Sequence, residues 1–141
     1  MKKELLNNTT LKPLLTPTVT PLSAGTSYTT YVERSEFLSA IVGLAVGEAS
    51  GTPTAQSVTV TVQDATAADG TGKADLKDNN GDAITIALTK DSVNSFANVD
   101  LTGARAYVGL KVVTAFTAGT TPKIPVNAYI ALGDPKDTRN I

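Results

Sequence analysis

The sequence contains no cysteine, no histidine and no tryptophan. Without cysteine, the chain can form neither disulfide bonds nor thiolate metal sites. Without histidine and cysteine, it also lacks the side chain best suited to proton transfer at neutral pH and the most nucleophilic side chain. The motifs GxSxG and HExxH and the glycine-rich phosphate loop with its lysine are absent as well. The sequence therefore predicts a protein that is not an enzyme, with no catalytic residue, no cofactor and no metal ligand.

Charged residues are also scarce, at 18% of the chain against roughly 25% in a typical soluble domain. The formal net charge of −1 leaves no surplus of positive charge to neutralise phosphates, so we expect no nucleic-acid partner. The longest apolar run, Phe37 to Val46, has about half the length that a helix needs to cross a bilayer, so we expect no membrane partner. Because Asn7 follows the short apolar pair Leu5-Leu6 so closely, we also expect no export signal and synthesis in a cytoplasm.

Residues 1–25 differ from the rest of the chain and predict an extended N-terminal arm. Pro13, Pro17 and Pro21 recur at every fourth position, and each lacks a backbone N–H donor and disfavours helix in the residue before it. Apolar side chains on an extended chain cannot bury one another, so we expect those of the arm to contact another protein subunit. They are Leu5, Leu6, Leu11, Leu14, Leu15, Val19 and Leu22.

Residues 26–135 predict a single all-β domain, a jelly roll or similar β-sandwich, followed by a C-terminal tail at residues 136–141. Short runs of β-forming residues are separated by Gly, Asp, Asn and Pro, which is typical of sandwiches and barrels. In one run, Val58, Val60 and Val62 alternate with polar residues, so one face of that strand should be buried. About eight strands are expected, over residues 28–33, 37–47, 57–64, 73–76, 83–89, 95–101, 105–116 and 124–132.

A helix is the alternative interpretation of the second of these runs. Phe37, Ile41 and Leu44 are spaced so that they would share one face of a helix. Against it, Gly43 and Gly47 would each destabilise a helix interior by roughly 1 kcal/mol, and the β-branched residues of the run favour a pleated strand. We therefore predict a strand.

Acidic residues crowd the polar stretch between residues 64 and 82. Calcium needs several oxygen ligands from one flexible segment, which makes this stretch a candidate calcium loop. However, Gly81 follows Asp78 too early for an EF-hand loop, and no bidentate glutamate comes after it. We favour solvated turn residues, whose substitution should change stability by no more than about 0.5 kcal/mol, and leave calcium binding open. The residues concerned are Asp64, Asp69, Asp75, Asp78, Asn80 and Asp82.

The aromatic residues are few, and most of them fall at predicted strand positions. Core or cross-strand packing is therefore expected of them rather than stacking on sugars or bases. Arg105, beside Tyr107, is expected to form an ion pair or to stack on a strand face. The aromatic residues are Tyr28, Tyr31, Phe37, Phe96, Tyr107, Phe116 and Tyr129.

Several short motifs follow one another between residues 20 and 135, and their order along the chain is informative. A strand that ends at Gly47 is followed by the alternating segment 58–64, VTVTVQD, and then by a polar loop. The segment 100–108, DLTGARAYV, comes later, and the last strand leads into the residues LGDP at 132–135. In this order of features, the sequence resembles the small decoration, or cement, proteins encoded among the head genes of tailed bacteriophages.

That resemblance implies a jelly-roll-like β-sandwich on the outer surface of an assembled capsid, where it stabilises contacts between major capsid subunits. The implied partners are the major capsid protein and neighbouring copies of this chain, as a dimer or trimer. The implied location is the virion, after synthesis in the host cytoplasm, and the pattern carries no catalytic residues. The alternatives are another β-rich virion component, such as a tail-tube, head-completion or head-fibre protein, and a carbohydrate-binding or adhesion module.

Overall fold

The computed structural model describes residues 10–15 and 21–135, with the backbone alone at residues 10–15, 134 and 135. Ten strands lie in these residues, and the all-β sandwich predicted from the sequence is confirmed. The strands are β1 (Thr10–Leu15), β2 (Gly25–Tyr28), β3 (Val32–Glu33), β4 (Phe37–Val46), β5 (Ala55–Ala65), β6 (Ala74–Asp75), β7 (Thr85–Leu88), β8 (Asn94–Asp100), β9 (Tyr107–Thr117) and β10 (Val126–Pro135). No helix in the described part of the chain has the length and apolar character to cross a membrane.

The strands form two antiparallel sheets. The front sheet has the order β1-β10-β4-β8. The back sheet has the order β2-β9-β5-β6, in which β3 also pairs with β9 and β7 with β5. The chain thus passes repeatedly from one sheet to the other, and each long strand pairs with strands distant from it in sequence.

The core lies between the two sheets and is built from alternate residues of the long strands. In β5, Val58, Val60 and Val62 are 0–2% exposed, and the threonines between them are less deeply buried. In the front sheet, buried Val42 of β4 pairs with buried Ile130 of β10, so the alternation runs in step across the sheet. Burial of each such side chain contributes about 1.5–3 kcal/mol, and this alternation therefore holds the two sheets together.

The predicted first strand, at residues 28–33, is two strands in the structure. Between β2 and β3, the Thr29 hydroxyl accepts a hydrogen bond of 2.9 Å from the Leu110 N–H, in place of a backbone carbonyl. The ring of Tyr31 then folds over Gly109 of β9, where a Cβ atom would meet it at 2.8 Å. This irregular segment and the strand β1 explain why the structure has ten strands where about eight are predicted.

The segment for which the sequence also allowed a helix is the strand β4. It lies between β10 and β8 and pairs along its length with both. Gly43 would destabilise a helix, but in the strand the space left by its missing side chain is filled. The Tyr129 ring lies where a Cβ atom of residue 43 would be. The predicted strand is confirmed.

Part of the N-terminal arm belongs to the sandwich. The strand β1 pairs antiparallel with β10, from Thr10 opposite Leu132 to Leu15 opposite Ala128. Leu22 exchanges two backbone hydrogen bonds, of 3.0 and 2.9 Å, with Ile124 and packs against the core. The expectation that the apolar residues of the arm find no partner inside the domain is therefore wrong for Leu22, because its backbone pairs with Ile124 and its side chain packs against the buried residues of the core.

The remaining predicted contact residues of the arm stay untested. Leu5, Leu6 and Val19 lie outside the described residues, as does the tail at residues 136–141. Leu11, Leu14 and Leu15 lie in β1, where the structure describes the backbone alone.

A buried arginine that belongs to no sequence motif holds the start of β4 in place. Arg34 is 7% exposed. Its guanidinium donates hydrogen bonds to three backbone carbonyls, those of Phe37, Ala104 and Arg105. Hydrogen bonds from a charged donor are stronger than neutral ones, so this side chain ties the turn before β4 to the segment before β9.

Candidate functional site

The outward face of the front sheet carries an apolar patch. In its register, Gly43 of β4 lies opposite Tyr129 of β10 on one side and opposite Phe96 of β8 on the other. Phe96 is 65% exposed, Ile41 43% and Tyr129 38%. We call this surface the outer patch. It comprises Ile41, Gly43, Phe96, Tyr129 and Ala131.

Gly43 makes the outer patch flat. A Cβ atom at this position would come within 2.6 Å of three atoms of the Tyr129 side chain, Cζ, Cε1 and Oη. The Tyr129 ring therefore lies against the backbone of β4 rather than standing away from the sheet. A flat aromatic surface offers a large contact area at a low cost in side-chain entropy, as at many recognition surfaces.

The outer patch is also nearly free of charge. Asparagine side chains surround it, at residues 94, 98 and 127. Among the outward residues of β4, β8 and β10 that the structure describes, Asp100 alone carries a charge, and its carboxylate accepts hydrogen bonds from the Thr102 N–H and hydroxyl at 2.9 and 2.8 Å. These bonds lower the pKa of Asp100. Exposed apolar patches with polar rims mark sites of interaction with other molecules.

The aromatic residues divide between the core and this surface. Tyr31 is buried, and Phe37 and Phe116 pack against the core, so packing is the correct expectation for these three. Tyr129 packs across the strands on Gly43, as expected, although its outer face is exposed, whereas Phe96 is largely exposed and is not a core residue. The sequence does carry a signal for these two, since each sits one step out of phase with the buried residues of its strand.

The acidic residues between 64 and 82 do not act as one group. Asp69 and Asp78 cap turns: each accepts hydrogen bonds from backbone N–H groups two residues further on, at 2.9 Å. Asp75 accepts a hydrogen bond of 2.8 Å from the Gln63 side chain. In the described residues, no three side chains of the types that bind metals come together. The solvated-turn interpretation thus fits Asp69 and Asp78, whose geometry is that of turn residues.

Asp64 is the exception, and the expectation that it is a solvated turn residue is wrong. It is buried, and its carboxylate accepts hydrogen bonds from the Arg105 guanidinium at 2.9 Å and from the Arg105 backbone N–H at 3.0 Å. Burial acts to raise the pKa of Asp64, but the hydrogen bonds and charge of Arg105 outweigh it and lower that pKa. The ion pair predicted for Arg105 is therefore made with Asp64, and it joins the end of β5 to the start of β9.

Replacing Asp64 by asparagine is expected to lower the free energy of unfolding at pH 7 by about 1–2 kcal/mol, because a charged hydrogen-bond acceptor is lost from a buried position. A carboxyl whose pKa is lowered by folding contributes stability above its unfolded pKa, near 3.8, and loses it as the pH falls further. The difference between wild type and Asp64→Asn should therefore shrink as the pH falls through the lowered pKa of Asp64. Urea titrations at pH 7 and pH 2.5 test this, with Asp82→Asn as the control that changes stability by less than about 0.5 kcal/mol. Equal losses in both variants would contradict it.

An open cleft of about 1570 Å³ borders the outer patch beside Asp100. It lies between the end of β8 and the hairpin that joins β6 to β7, and its lining includes Asp75, Lys77 and Asp78 from that hairpin. The cleft leaves the end of β8 accessible from the side.

Comparisons with known proteins give the following results. No protein-family model matches the sequence, and no curated protein matches it. A chain in a structure of infectious bursal disease virus, Gx strain, is similar at 12% identity and a TM-score of 0.48; the match covers 93% of this chain and 32% of that one, so this chain spans about a third of its length. The tobacco streak virus coat protein is similar at 9% identity and a TM-score of 0.39, over 96% of this chain and 92% of that one. A family 11 carbohydrate-binding module from Clostridium thermocellum, solved with a β-1,3-1,4-linked tetrasaccharide, is similar at 13% identity and a TM-score of 0.33, over 90% and 83%. Sequence identities and TM-scores this low do not support the transfer of a function from these proteins. The function is therefore inferred from this chain's own residues.

Proposed function

We propose that this chain is a structural protein of a virion, a decoration or cement protein that binds the outside of a tailed-phage head. In this role it links neighbouring major capsid subunits and has no enzymatic activity. The observation that carries the proposal is the strand β1: the arm that the sequence marks as extended pairs as a β-strand along the edge of the front sheet. This pairing lies within one chain and ties the arm to its own sandwich, so that a contact made by the apolar residues of the arm would hold the whole domain on another subunit.

The two parts of the chain have different tasks in this proposal. The sandwich has its own hydrophobic core, formed by buried residues of β4 to β10. The arm carries Leu5, Leu6 and Val19 in addition to the residues of β1, and we assign these apolar residues to the contact with the major capsid protein. Leu22 is not included, because it packs on the chain's own core. Many copies on one shell would reinforce each other, since each attachment raises the effective concentration of the next.

A reconstruction of intact virions that contain this protein tests the proposal. A decoration protein is expected in hundreds of copies on the outer surface, with density for the arm lying on a capsid subunit. A handful of copies at a vertex or in the tail would contradict the proposal and would instead support a head-completion or tail component.

One observation favours a second candidate function, a glycan-binding module. The exposed rings of Phe96 and Tyr129 lie on strands separated by one strand, about 10 Å apart at their backbones, with asparagine side chains around them. Aromatic rings with a polar rim are suited to sugars, which have apolar faces and hydroxyl edges. Calorimetric titration with a soluble β-glucan separates the two functions: saturable heat that Tyr129→Ala abolishes would support glycan binding, and the absence of heat would count against it.

A further inference from the structure

The strand β8 forms an open edge of the front sheet. Within residues 10–15 and 21–135, its backbone pairs with β4 alone. Just outside its ends, the Val93 carbonyl accepts a hydrogen bond of 3.0 Å from the Val46 N–H, and the Leu101 N–H donates one of 2.8 Å to the Leu38 carbonyl. The odd-numbered residues of this strand therefore direct their backbone groups toward β4.

The even-numbered residues of β8 direct their backbone groups the opposite way, because the direction of hydrogen bonding alternates along an antiparallel strand. Four N–H groups and four carbonyls thus face away from the sheet. They belong to Asn94, Phe96, Asn98 and Asp100.

This edge carries almost none of the features that keep sheet edges from pairing. Natural edge strands are usually short or carry lysines, prolines or bulges. The strand β8 has seven residues, NSFANVD, with no lysine or proline, and its register with β4 is continuous. It also carries Phe96, which is the most exposed large apolar side chain among those whose burial the structure describes. An edge of this kind is suited to receiving another strand.

We propose that β8 pairs with β8 of a second copy of this chain, antiparallel, about a two-fold axis at Ala97. Asn94 then lies opposite Asp100 of the second copy, and Phe96 lies opposite its Asn98. Each of the four even-numbered residues of β8 then lies opposite an even-numbered residue of the second copy. The N–H and carbonyl groups of the two residues face each other and can form hydrogen bonds. The two four-stranded front sheets join into one continuous sheet, and the two outer patches become one surface.

Charge and side-chain packing select this register. The two Asp100 carboxylates lie at opposite ends of the paired strands, each facing an asparagine. The two Phe96 rings are diagonal neighbours, about 7–8 Å apart at their backbones, a distance that aromatic side chains bridge. A shift by two residues in either direction shortens the pairing and places Phe96 opposite either itself or Asp100. A shift by one residue would place even-numbered residues opposite odd-numbered ones. The backbone groups of the odd-numbered residues already face β4, so the hydrogen bonds between the two copies could not form.

The second copy is favoured over other occupants because the edge is complementary to itself in both backbone groups and charge. The inference does not depend on attachment to a capsid, since the dimer would form in purified protein. Its failure would therefore leave the proposed function unaffected, and failure of the proposed function would leave the dimer.

A cysteine placed on the two-fold axis tests the register directly. At this position the two Cα atoms form a pair without mutual hydrogen bonds, about 4.5 Å apart, which is within the range of a disulfide. Because the chain has no cysteine, any disulfide-linked dimer of Ala97→Cys must come from this residue. The matched control is Ser95→Cys, on the same side of the strand. In the proposed register the two introduced cysteines would be four residues apart along the strands, about 13 Å, so no disulfide should form between them.

Sedimentation equilibrium of the full-length protein measures the dimer itself. Asn98→Pro removes one N–H at the open edge and none of those that bond to β4, and it is expected to weaken dimerisation at least 100-fold. Phe96→Lys, which adds a charge to the edge, should do the same, whereas Ile41→Ser, which changes the outer patch on β4, should not. Thermal unfolding shows whether each variant is folded.

Three results would overturn the inference. They are a wild-type protein that stays monomeric at several hundred micromolar, a dimer unaffected by both Asn98→Pro and Phe96→Lys, and a disulfide that forms as readily in Ser95→Cys as in Ala97→Cys. A dimer lost on removal of residues 1–15 but not in Asn98→Pro would show that the arm of the second copy, and not its β8, is the occupant.

Discussion

Removal of residues 1–20 is expected to reduce the retention of the protein on capsids at least 100-fold while leaving a folded domain. The apolar residues of the arm are assigned to the capsid contact, and burial of each leucine contributes about 1.5–3 kcal/mol, so two of them account for such a loss. The sandwich should fold without the arm because its core lies in β4 to β10, and because Leu22 still packs on that core. Co-sedimentation with particles that lack the protein measures the retention.

Two shorter changes separate the contributions of the arm. Removal of residues 1–9 keeps β1 in place, and Leu14→Asp with Leu15→Asp keeps the length of the chain. Both are expected to weaken retention, and removal of the tail at residues 136–141 is the matched control that should not. If the protein without residues 1–20 still binds particles as tightly as the full chain, the capsid contact lies on the sandwich. If it does not fold, β1 is part of the minimal domain.

Gly109→Ala is expected to lower the free energy of unfolding by about 3 kcal/mol, near the upper end for an added methyl group in a closely packed site. Its Cβ atom would meet the Tyr31 ring at 2.8 Å and the Thr30 carbonyl at 2.9 Å. The second of these is backbone, so the segment between β2 and β3 must move away from β9. That movement also pulls Tyr31 from Gln63, whose side-chain carbonyl accepts a hydrogen bond of 2.8 Å from the Tyr31 hydroxyl.

Gly103→Ala is the matched control for this change, because a Cβ atom at Gly103 meets nothing within 4 Å. Urea unfolding monitored by tyrosine fluorescence compares the two variants with the wild type. Equal and small losses would mean that the Tyr31 segment is loosely held, and the packing of Tyr31 on Gly109 would then not be a source of stability.

The sandwich could be predicted from the sequence because its signals are local. Val58, Val60 and Val62 alternate within one strand, and the pattern needs no knowledge of the neighbour against which they pack. The glycine at residue 43 is also a local signal, and it correctly favoured a strand over a helix. Local patterns of this kind follow from the two-residue period of a strand.

What could not be predicted depends on pairs that are distant in sequence. In the sequence, Asp64 is the first of several loop carboxylates and nothing distinguishes it from the others. Its partner Arg105 lies 41 residues later, and only the fold brings the two together. Arg34 carries no motif, and its three carbonyl partners are fixed by the fold alone. The outer patch could not be predicted from the sequence for the same reason. Phe96 and Tyr129 come onto one surface only because their strands lie on the two sides of Gly43.

Because β1 pairs with β10, the force that the arm can resist depends on the direction in which it is pulled. If residues 1–9 are anchored on a capsid subunit, tension enters the domain at Thr10, whose partner is Leu132. The hydrogen bonds of an antiparallel pair run perpendicular to the strands, so a pull along β1 shears all of them together, whereas a pull away from the sheet breaks them one at a time. Since β10 lies between β1 and β4, the load passes from the edge into the centre of the front sheet. The arm would thus resist sliding of the capsid surface beneath it far better than lifting away from it.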